Sequence, residues 1–526
     1  MGGLAVSARV GDQAVLTTLV ADRVASRLAA ADATLWGPAA QEEAAVRLGW
    51  VRLHETSRPL LAEIEALQAD LRAEGLDRIV LCGMGGSSLA PEVITRTAGV
   101  ELTVLDTTDP GRVKAAIADL DRTVVVVSSK SGSTVETDSQ RRAFEAAFTA
   151  AGIQPGSRMI AVTDPGSGLA ELAMASGYRR VFLADPSIGG RYSALTAFGL
   201  VPSAMAGVDV SGLLDEAASA APMLAADHPG NPALVLGAAL GGGVRLGRDK
   251  VAIADAGSGI VGFADWSEQL IAESTGKDGT GILPIALAGT DDPELRWPAP
   301  DVLPALLGPA PPDSGVSVIG PLGAQFLLWE YATVVAGRVI GINPFDQPDV
   351  ESAKTAARGL LDGRPHPEPA AFTDGSIELR ANSELLDDAR SLAAAVTALL
   401  AQLPANGYLA VMAYLDREGA DAVLADVRRP LAMRTERPVT FGWGPRFLHS
   451  TGQYHKGGPA TGVFLQVTGA VDEDLAVPER PFTFGELITA QAAGDAQVLA
   501  DHNRPILRLH LNDRAAGIAR LLEVLR

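Results

Sequence analysis

Hydrophobic positions in the first 75 residues recur at the spacing of an α-helix. Between Leu60 and Leu71 an apolar residue returns every three or four positions, and Gly75 stands where such a helix would end. The pattern predicts a mostly helical N-terminal segment, residues 1–75.

Beyond residue 75 the pattern changes to short, continuous apolar runs separated by helical stretches. Continuous runs are typical of parallel strands buried on both faces, and their alternation with helices is typical of α/β domains. The runs are RIVLC, LTVLD, TVVVVSS, MIAVTD, RVFLAD, KVAIAD, ILPIALAG and VSVIG. They predict an α/β fold with open parallel sheets flanked by helices.

Two sets of these runs lie on either side of an Ala-rich helical region, residues 205–245. We therefore predict two α/β domains, residues 76–204 and 205–362. The Pro-rich residues 297–315 are predicted to be a surface insertion of the second domain, because a strand and a helix follow them.

The C-terminal part of the chain is predicted to be ordered as well. Residues 362–375, DGRPHPEPAAFTDG, have the composition of a linker. The runs YLAVMAYL, VFLQVTG and ILRLHL then supply further strands. Residues 363–526 are therefore predicted to form a C-terminal α/β extension.

Composition limits the classes of protein to which the chain can belong. Its 526 residues, 47% hydrophobic and 20% charged, predict a globular protein of several domains. No apolar run approaches the roughly 20 residues of a membrane span, and the N-terminus lacks the pattern of a signal peptide. Together with the single cysteine, Cys82, this favours a cytoplasmic location. The net charge of -20 argues against nucleic acid as a partner.

Candidate chemistry begins at residues 81–93, LCGMGGSSLAPEV, where a buried strand runs into a Gly-rich turn. Free backbone N–H groups and the hydroxyl of Ser87 would suit a phosphate or a sugar phosphate. A dinucleotide is the alternative, since Asp106 follows at about the distance of a ribose-binding acid, although Ser88 replaces the third glycine of that fingerprint. A purely structural turn is the third possibility.

A second turn of this kind, at residues 123–137, changes the balance between these alternatives. Six hydroxyl groups and the ammonium group of Lys130 follow a buried strand, which predicts a phosphate cradle that a dinucleotide fold does not need. A Ser-rich capped turn is the structural alternative, but it has no use for a lysine.

The chain resembles the phosphoglucose isomerase family over residues 45–360. GMGGSSLAPEV and SSKSGSTVET are similar to motifs of sugar isomerase domains, which bind phosphosugars. Three further blocks follow in the family's order: IGGRYSALTAFGLVP, WSEQLIAESTGKDGTGILP and GINPFDQPDVESAK. The resemblance implies two doubly wound, three-layer αβα sugar isomerase domains. It also implies interconversion of glucose 6-phosphate and fructose 6-phosphate, a reaction of glycolysis and gluconeogenesis.

The resemblance also implies roles for individual residues. In the substrate, the phosphate and the sugar would be held by Gly86, Ser87, Ser129, Lys130, Ser131, Thr134, Thr137 and Gln347. Glu273 would be the base, Arg191 would stabilise the enediolate, and Lys354 would act in ring opening. The isomerisation needs no metal, and no metal-binding motif is present in the sequence, so we expect catalysis without a cofactor. A homodimer with a shared active site is implied.

Residue chemistry supports two of these roles independently. Moving a proton between C1 and C2 through a cis-enediol requires one carboxylate, and Glu273 lies in a Gly-containing turn that could present it. Glu268 is the alternative base, or else a charge on the helix face. Arg191, beside two glycines, suits stabilisation of a developing negative charge, with a structural ion pair as the alternative.

Ring opening requires an acid–base group, for which histidine is suited at neutral pH. The family's histidine lies between the blocks of Glu273 and Gln347, but this chain has none there. HSTGQYHKGG, residues 449–458, is similar to that histidine segment. The isomerase portions that are found fused to transaldolase also resemble this C-terminal region. We therefore predict that His449 is the acid–base group of ring opening, with His455 as the alternative. The structural alternative is that both histidines are surface loop residues without a catalytic role. In the family the histidine comes from the partner subunit.

Three hypotheses about function follow. The first is a glucose-6-phosphate isomerase. The second is an isomerase that also accepts mannose 6-phosphate, which Thr275 could favour by loosening recognition at C2. The third is a non-catalytic phosphosugar sensor, against which the combination of Glu273, Arg191 and Lys354 argues. In each case the partner is a small phosphosugar, without nucleic acid or membrane.

Overall fold

The described part of the chain forms three β-sheets surrounded by helices. The computed structural model describes residues 3–8, 13–309, 315–348, 359, 361, 368–381 and 383–525. The strands are β1 (Ala5–Ala8), β2 (Arg78–Gly83), β3 (Thr103–Leu105), β4 (Thr123–Ser128), β5 (Met159–Thr163), β6 (Arg180–Leu183), β7 (Lys250–Asp255), β8 (Leu283–Ala286), β9 (Val302–Leu307), β10 (Val316–Ile319), β11 (Phe372–Asp374), β12 (Ile377–Ala381), β13 (Tyr408–Tyr414), β14 (Val439–Trp443), β15 (Gly462–Gly469) and β16 (Ile506–Leu511).

Helices connect these strands, and none of those described is both long and apolar enough to cross a membrane. They are α1 (Gln13–Ala21), α2 (Val24–Ala29), α3 (Gln41–Arg47), α4 (Leu53–Thr56), α5 (Leu60–Ala73), α6 (Leu89–Ala98), α7 (Pro110–Ala116), α8 (Val135–Ala150), α9 (Gly168–Ala175), α10 (Ala197–Met205), α11 (Val210–Leu224), α12 (Pro232–Arg245), α13 (Phe263–Thr275), α14 (Pro293–Arg296), α15 (Leu322–Ile340), α16 (Leu392–Leu400), α17 (Arg428–Thr435), α18 (Gly452–Gly457), α19 (Phe484–Asp501) and α20 (Arg514–Leu525).

The first sheet is parallel, in the order β3-β2-β4-β5-β6, which is that of a doubly wound domain. Alternate residues of β2 belong to different hydrophobic clusters: Ile79 and Leu81 pack with α5, α6 and α10, whereas Val80 and Cys82 pack with α8 and α9. Both faces are therefore covered by helices. This three-layer arrangement confirms the predicted α/β class.

The second sheet, in the order β1-β10-β9-β7-β8, corrects two predictions. The N-terminal segment is mostly helical, but it also contributes β1, which pairs antiparallel with β10. The prediction that residues 297–315 form a surface insertion is wrong. Residues Val302–Leu307 are a buried strand that pairs with β7 and β10 near the centre of the sheet. Pro304 is tolerated in this strand although proline lacks a backbone donor.

The third sheet has the order β11-β12-β16-β15-β13-β14 and lies in the C-terminal extension. Four of its strands are parallel, and β11 and β12 form an antiparallel edge. The end of the predicted linker is therefore wrong, because Phe372–Asp374 is a strand; residues 362–367 lie outside the described part of the chain. One face of β13 packs in the same hydrophobic cluster as β7 and β8. The extension thus shares a core with the second domain.

Glu330 is a fully buried carboxyl group in the middle of α15, and neither of its oxygens has a hydrogen-bond partner among the described residues. Burial raises its pKa well above the ordinary value of 4.5. The folded protein therefore binds a proton here that the unfolded chain has lost above pH 4.5, and stability falls as the pH rises towards the folded pKa.

We expect Glu330→Gln to remove this pH dependence. Above pH 4.5 the wild type should lose up to about 1.4 kcal/mol of unfolding free energy per pH unit relative to the variant, until the pH passes the raised pKa of the folded state. Urea titrations at pH 5, 6, 7 and 8 measure this difference. Equal slopes for the two proteins would show that Glu330 does not titrate as a buried acid.

Candidate active site

The Gly-rich turn after β2 and the Ser-rich turn after β4 begin side by side, because Gly83 is paired with Ser128 in the parallel register. This is the point where the strand order of the first sheet reverses, and ligands of α/β sheets bind in the crevice there. Gly86 packs against a third loop so closely that a Cβ atom would lie 2.0 Å from the carbonyl oxygen of Gly190. Glycine at this position therefore brings the loop of Arg191 to the crevice.

Hydroxyl groups and a helix N-terminus meet in the Ser-rich turn, an arrangement that suits an anion and that we call the predicted anion cradle. Ser129 Oγ accepts a hydrogen bond from Gly132 N at 3.1 Å and lies 3.3 Å from Thr134 Oγ1. Ser131 is exposed, and its Oγ lies 2.7 Å from that of Ser133. Thr134 stands immediately before α8, so free N–H groups and the positive end of the helix dipole point into the turn.

The other residues predicted to hold the substrate lie around this cradle. Thr137 is buried in the first turns of α8, and its Oγ1 has no hydrogen-bond partner among the described residues. Ser87 is half-buried at the Gly-rich turn.

Lys130 contacts the loop that leads to Arg191. Its Nζ donates hydrogen bonds of 2.6 Å to the carbonyl oxygens of Pro186 and Ile188, and it lies 3.6 Å from Asp164. Burial lowers the pKa of its ammonium group. The structure therefore uses Lys130 to tie the Ser-rich turn to the loop that leads to Arg191.

Arg191 is a buried side chain with a full set of partners. Its Nε donates to Ser274 Oγ at 2.9 Å, its Nη2 to Pro344 O at 2.8 Å and its Nη1 to Gln347 Oε1 at 2.7 Å. Nη1 also lies 3.5 Å from Glu273 Oε2. These contacts fix the guanidinium beside the predicted base and bring Gln347 to the same place.

Glu273 lies in the last turns of α13 with only 7% of its side chain exposed. Its Oε1 lies 3.3 Å from Nε2 of Gln269, one helical turn earlier. A Cβ atom on Gly85 would lie 2.8 Å from the same Gln269 Nε2, so this amide connects the carboxylate to the Gly-rich turn.

Glu268 lies on another side of α13. Its Oε1 accepts a hydrogen bond of 3.0 Å from Ser450 Oγ, and burial and the nearby Asp265 raise its pKa to about 8. This hydrogen bond connects Glu268 to the C-terminal extension.

Thr275 does not offer its hydroxyl group to a ligand. The group is fully buried, donates to Ile271 O at 2.8 Å and accepts a hydrogen bond from Ile282 N at 2.9 Å. This geometry removes the reason for expecting Thr275 to loosen recognition at C2.

His449 comes from the C-terminal extension and reaches the first domain. Its Nε2 lies 3.2 Å from Glu136 Oε1, and a Cβ atom on Gly85 would lie 3.0 Å from His449 Cβ. Glu136 is held in turn by Nε2 of Gln491 at 2.8 Å, and Gln491 accepts from Thr108 Oγ1 at 2.7 Å. The predicted histidine therefore lies at the Gly-rich turn with a carboxylate that can orient its ring.

His455 lies in the hydrophobic core instead. Its ring is stacked on that of Tyr408, with Nδ1 2.9 Å from the tyrosine oxygen, and it packs edge-on against Phe464. Burial lowers its pKa well below the ordinary value. Neither contact belongs to the crevice.

Three residues of the site were not singled out in the sequence, although all lie within its motifs. They are Glu136, Gln269 and Lys277. Lys277 is buried, its pKa is lowered to about 8 by burial and by Arg191, and its Nζ donates to Asn343 O at 2.8 Å. For Gln269 the sequence contained a signal: it stands four residues before Glu273, and side chains at this spacing are neighbours on a helix. Lys354, by contrast, lies outside the described residues.

Comparisons with known proteins agree on one family. Residues 65–278 match the model of the family described as phosphoglucose isomerase. A protein named "Probable glucose-6-phosphate isomerase" from Natronomonas pharaonis is 30% identical over 355 aligned positions, which span 57% of this chain and 83% of that protein. A glucose-6-phosphate isomerase from Rubrobacter xylanophilus is 29% identical over 397 positions, which span 60% and 89%.

Two crystal structures share the fold. That of a glucose-6-phosphate isomerase from Chlamydia trachomatis has a TM-score of 0.57 at 20% identity and covers 70% of this chain and 90% of its own. That of a hypothetical protein from Thermus thermophilus has a TM-score of 0.56 at 23% identity, with coverages of 68% and 100%. At these identities the likeness concerns the fold alone.

Proposed function

The chain belongs to the phosphoglucose isomerase family, and we propose that it interconverts glucose 6-phosphate and fructose 6-phosphate through a cis-enediol intermediate. The observation that carries this proposal is the meeting of Glu273 and Arg191, 3.5 Å apart, in the crevice that also contains the anion cradle. A phosphosugar sensor would need the cradle but not a buried carboxylate held beside a guanidinium.

In the proposed reaction the substrate phosphate lies on the hydroxyl groups of Ser129, Ser131 and Thr134 and on the N-terminus of α8. Gly86 and Ser87 contact the sugar, with Thr137 and Gln347 at the edges of the site. Lys130 contributes by fixing the position of the loop that carries Arg191.

The carboxylate of Glu273 removes the C2 proton of the open-chain aldose, and the electron pair of that C–H bond forms the C1–C2 double bond of the enediolate. Charge on the substrate oxygens is stabilised by the fixed guanidinium of Arg191, which is electrostatic stabilisation without reorganisation. The proton of the C2 hydroxyl group passes to O1, and Glu273 returns its proton to C1 while the C2–O electron pair forms the carbonyl group of the ketose. A single carboxylate suffices because C1 and C2 are adjacent atoms and both can be reached from the same face of the enediolate.

Ring opening precedes this step. His449 is proposed to transfer the proton that the ring oxygen gains, with Glu136 fixing the orientation of the imidazole. Lys354 is assigned to the same step from the family resemblance alone. Association into a homodimer and a cytoplasmic location stay predictions.

We expect the purified wild type to convert fructose 6-phosphate, and His449→Ala to reduce kcat by about 10²-fold, at the lower end of the range for acid–base catalysis, because spontaneous ring opening still supplies substrate. 5-Deoxyfructose 6-phosphate lacks the ring hydroxyl and stays open, so the variant should turn it over almost as fast as the wild type. NMR of both substrates measures the difference.

His228→Ala is the matched control, since His228 lies in an exposed turn and should leave both rates unchanged. Full activity of His449→Ala on fructose 6-phosphate would disprove the assignment of the histidine. Absence of wild-type turnover would disprove the proposed activity itself.

A further inference from the structure

The carboxyl edge of the third sheet carries three arginines, each three residues beyond the end of a parallel strand. Arg417 follows β13, Arg446 follows β14 and Arg514 follows β16. In an α/β sheet this edge is where a ligand commonly binds. Here each of the three arginines pairs with at least one carboxylate of the first domain, and Arg514 also pairs with Asp421 of the extension itself.

Arg417 and Arg446 share two of these carboxylates. Arg417 lies 2.9 Å from Glu92 Oε1 and 3.2 Å from Asp106 Oδ1, while Arg446 lies 2.6 Å from Glu92 Oε2 and also pairs with Asp106. Asp106 is completely buried, and the side chains of the two arginines are only 14% and 12% exposed. Buried charges of this kind are tolerated only when they are paired, so the two surfaces are complementary.

The same edge continues to Arg514, which lies 2.9 Å from Asp109 of the first domain. On the other side, Arg428 pairs with Asp292 at 2.6 Å and with Glu294 at 2.7 Å in the second domain. Since the extension also shares a hydrophobic core with β7 and β8, it is held against both domains.

The carboxyl edge of the third sheet, which is docked on the first domain through these arginines, determines where His449 lies. The histidine follows Arg446 by three residues, in the 3-10 turn Arg446–His449. Ser450 Oγ donates to Glu268 Oε1 at 3.0 Å, and Gln453 Nε2 donates to the carbonyl oxygen of Gly276 at 2.9 Å. The segment is therefore attached on both sides of His449.

We infer that each chain supplies His449 to its own isomerase site: the C-terminal extension lays this histidine against the first domain of the same chain, so the histidine does not come from a partner subunit. This differs from the shared active site that the family resemblance implies. The inference rests on the proposed function only for its activity measurement.

The first test mixes two defective chains. Glu273→Gln and His449→Ala, each with its own affinity tag, are co-expressed, and any species carrying both tags is isolated. We expect its specific activity to be no higher than the mean of the two single variants, because each chain keeps its own defect. Recovery of about half the wild-type activity would overturn the inference, since a shared site restores one intact site in each mixed dimer.

If no species carries both tags, the wild type is assayed across a dilution series together with its mass in solution. Constant specific activity of a single-chain species supports the inference. Activity that disappears as an oligomer dissociates overturns it.

A second test does not depend on activity. Lys114 of the first domain and Glu473 of the extension meet at the exposed rim of the contact between these two units, where Lys114 Nζ lies 3.1 Å from Glu473 Oε2. A carbodiimide should therefore join the two side chains through an amide bond with loss of water. We expect the joined peptide in the band with the mass of one chain, and its loss in Lys114→Arg. The joined peptide only in a two-chain band, or in neither band, would overturn the inference even if the enzyme proves to be inactive.

Discussion

Replacement of Glu273 by Gln is expected to lower kcat for fructose 6-phosphate by about 10²–10⁴-fold, because the amide keeps the shape of the side chain but cannot accept the proton. Gln269, whose amide lies 3.3 Å from Glu273 Oε1, would still hold the new side chain in place. The fold should therefore be retained, with little change in the melting temperature.

The decisive measurement is loss of deuterium from C2 of C2-deuterated glucose 6-phosphate, whether the label then appears at C1 of the product or in water. The wild type should exchange the C2 label at a rate comparable to turnover, and Glu273→Gln should not. This experiment separates removal of the C2 proton from binding and from ring opening.

Glu268→Gln is the matched control on the same helix. Since Glu268 contacts Ser450 rather than Arg191, its replacement should leave exchange within a few-fold of the wild type. If isotope exchange survived in Glu273→Gln and disappeared in Glu268→Gln, Glu268 and not Glu273 would be the base.

Arg191→Gln is expected to lower kcat by about 10²–10³-fold, which is the usual effect of removing a preorganised group that stabilises developing charge. KM should change less, because Arg191 stabilises the enediolate more than the bound sugar. Steady-state kinetics give both constants.

A five-carbon aldonic acid phosphate, whose carboxylate mimics the enediolate, provides a second measurement. Its affinity should fall by about the same factor as kcat/KM, and Arg191→Lys, which keeps a positive charge, should recover part of the loss. Arg122→Gln, at an exposed ion pair with Asp77, is the control and should change neither quantity. An unchanged inhibitor affinity in Arg191→Gln would show that the guanidinium is a structural ion pair only.

Much of the first domain could be predicted from the sequence. The apolar run of β2 and the glycines after it have local causes, because a strand buried on both faces needs continuous apolar residues and a tight approach needs glycine. Gly86 is the clearest case, since its neighbour Gly190 leaves no room for a Cβ atom.

The second sheet shows where such local patterns failed. VLPALL lies between Pro-rich stretches that are typical of loops, yet it becomes β9, where it pairs with β7 on one side and with β10 on the other. A strand is decided here by its neighbours rather than by its own sequence.

The direction of side chains was also decided outside their motifs. Lys130 stands in a Ser-rich turn that predicts a phosphate ligand, but two carbonyl groups of the loop at Pro186 and Ile188 take its hydrogen bonds. Nothing in the sequence of the turn predicts that this distant loop lies next to Lys130.

The sequence by itself determined the α/β class, the two turns of the anion cradle, the family and the pair of candidate histidines. Only the tertiary structure decided where the histidines lie: six residues apart, His449 lies beside Glu136 of the first domain and His455 is stacked on Tyr408 in the core. Local propensities depend on neighbours in the chain, whereas this placement depends on buried ion pairs between residues more than 300 positions apart, such as Arg446 and Asp106.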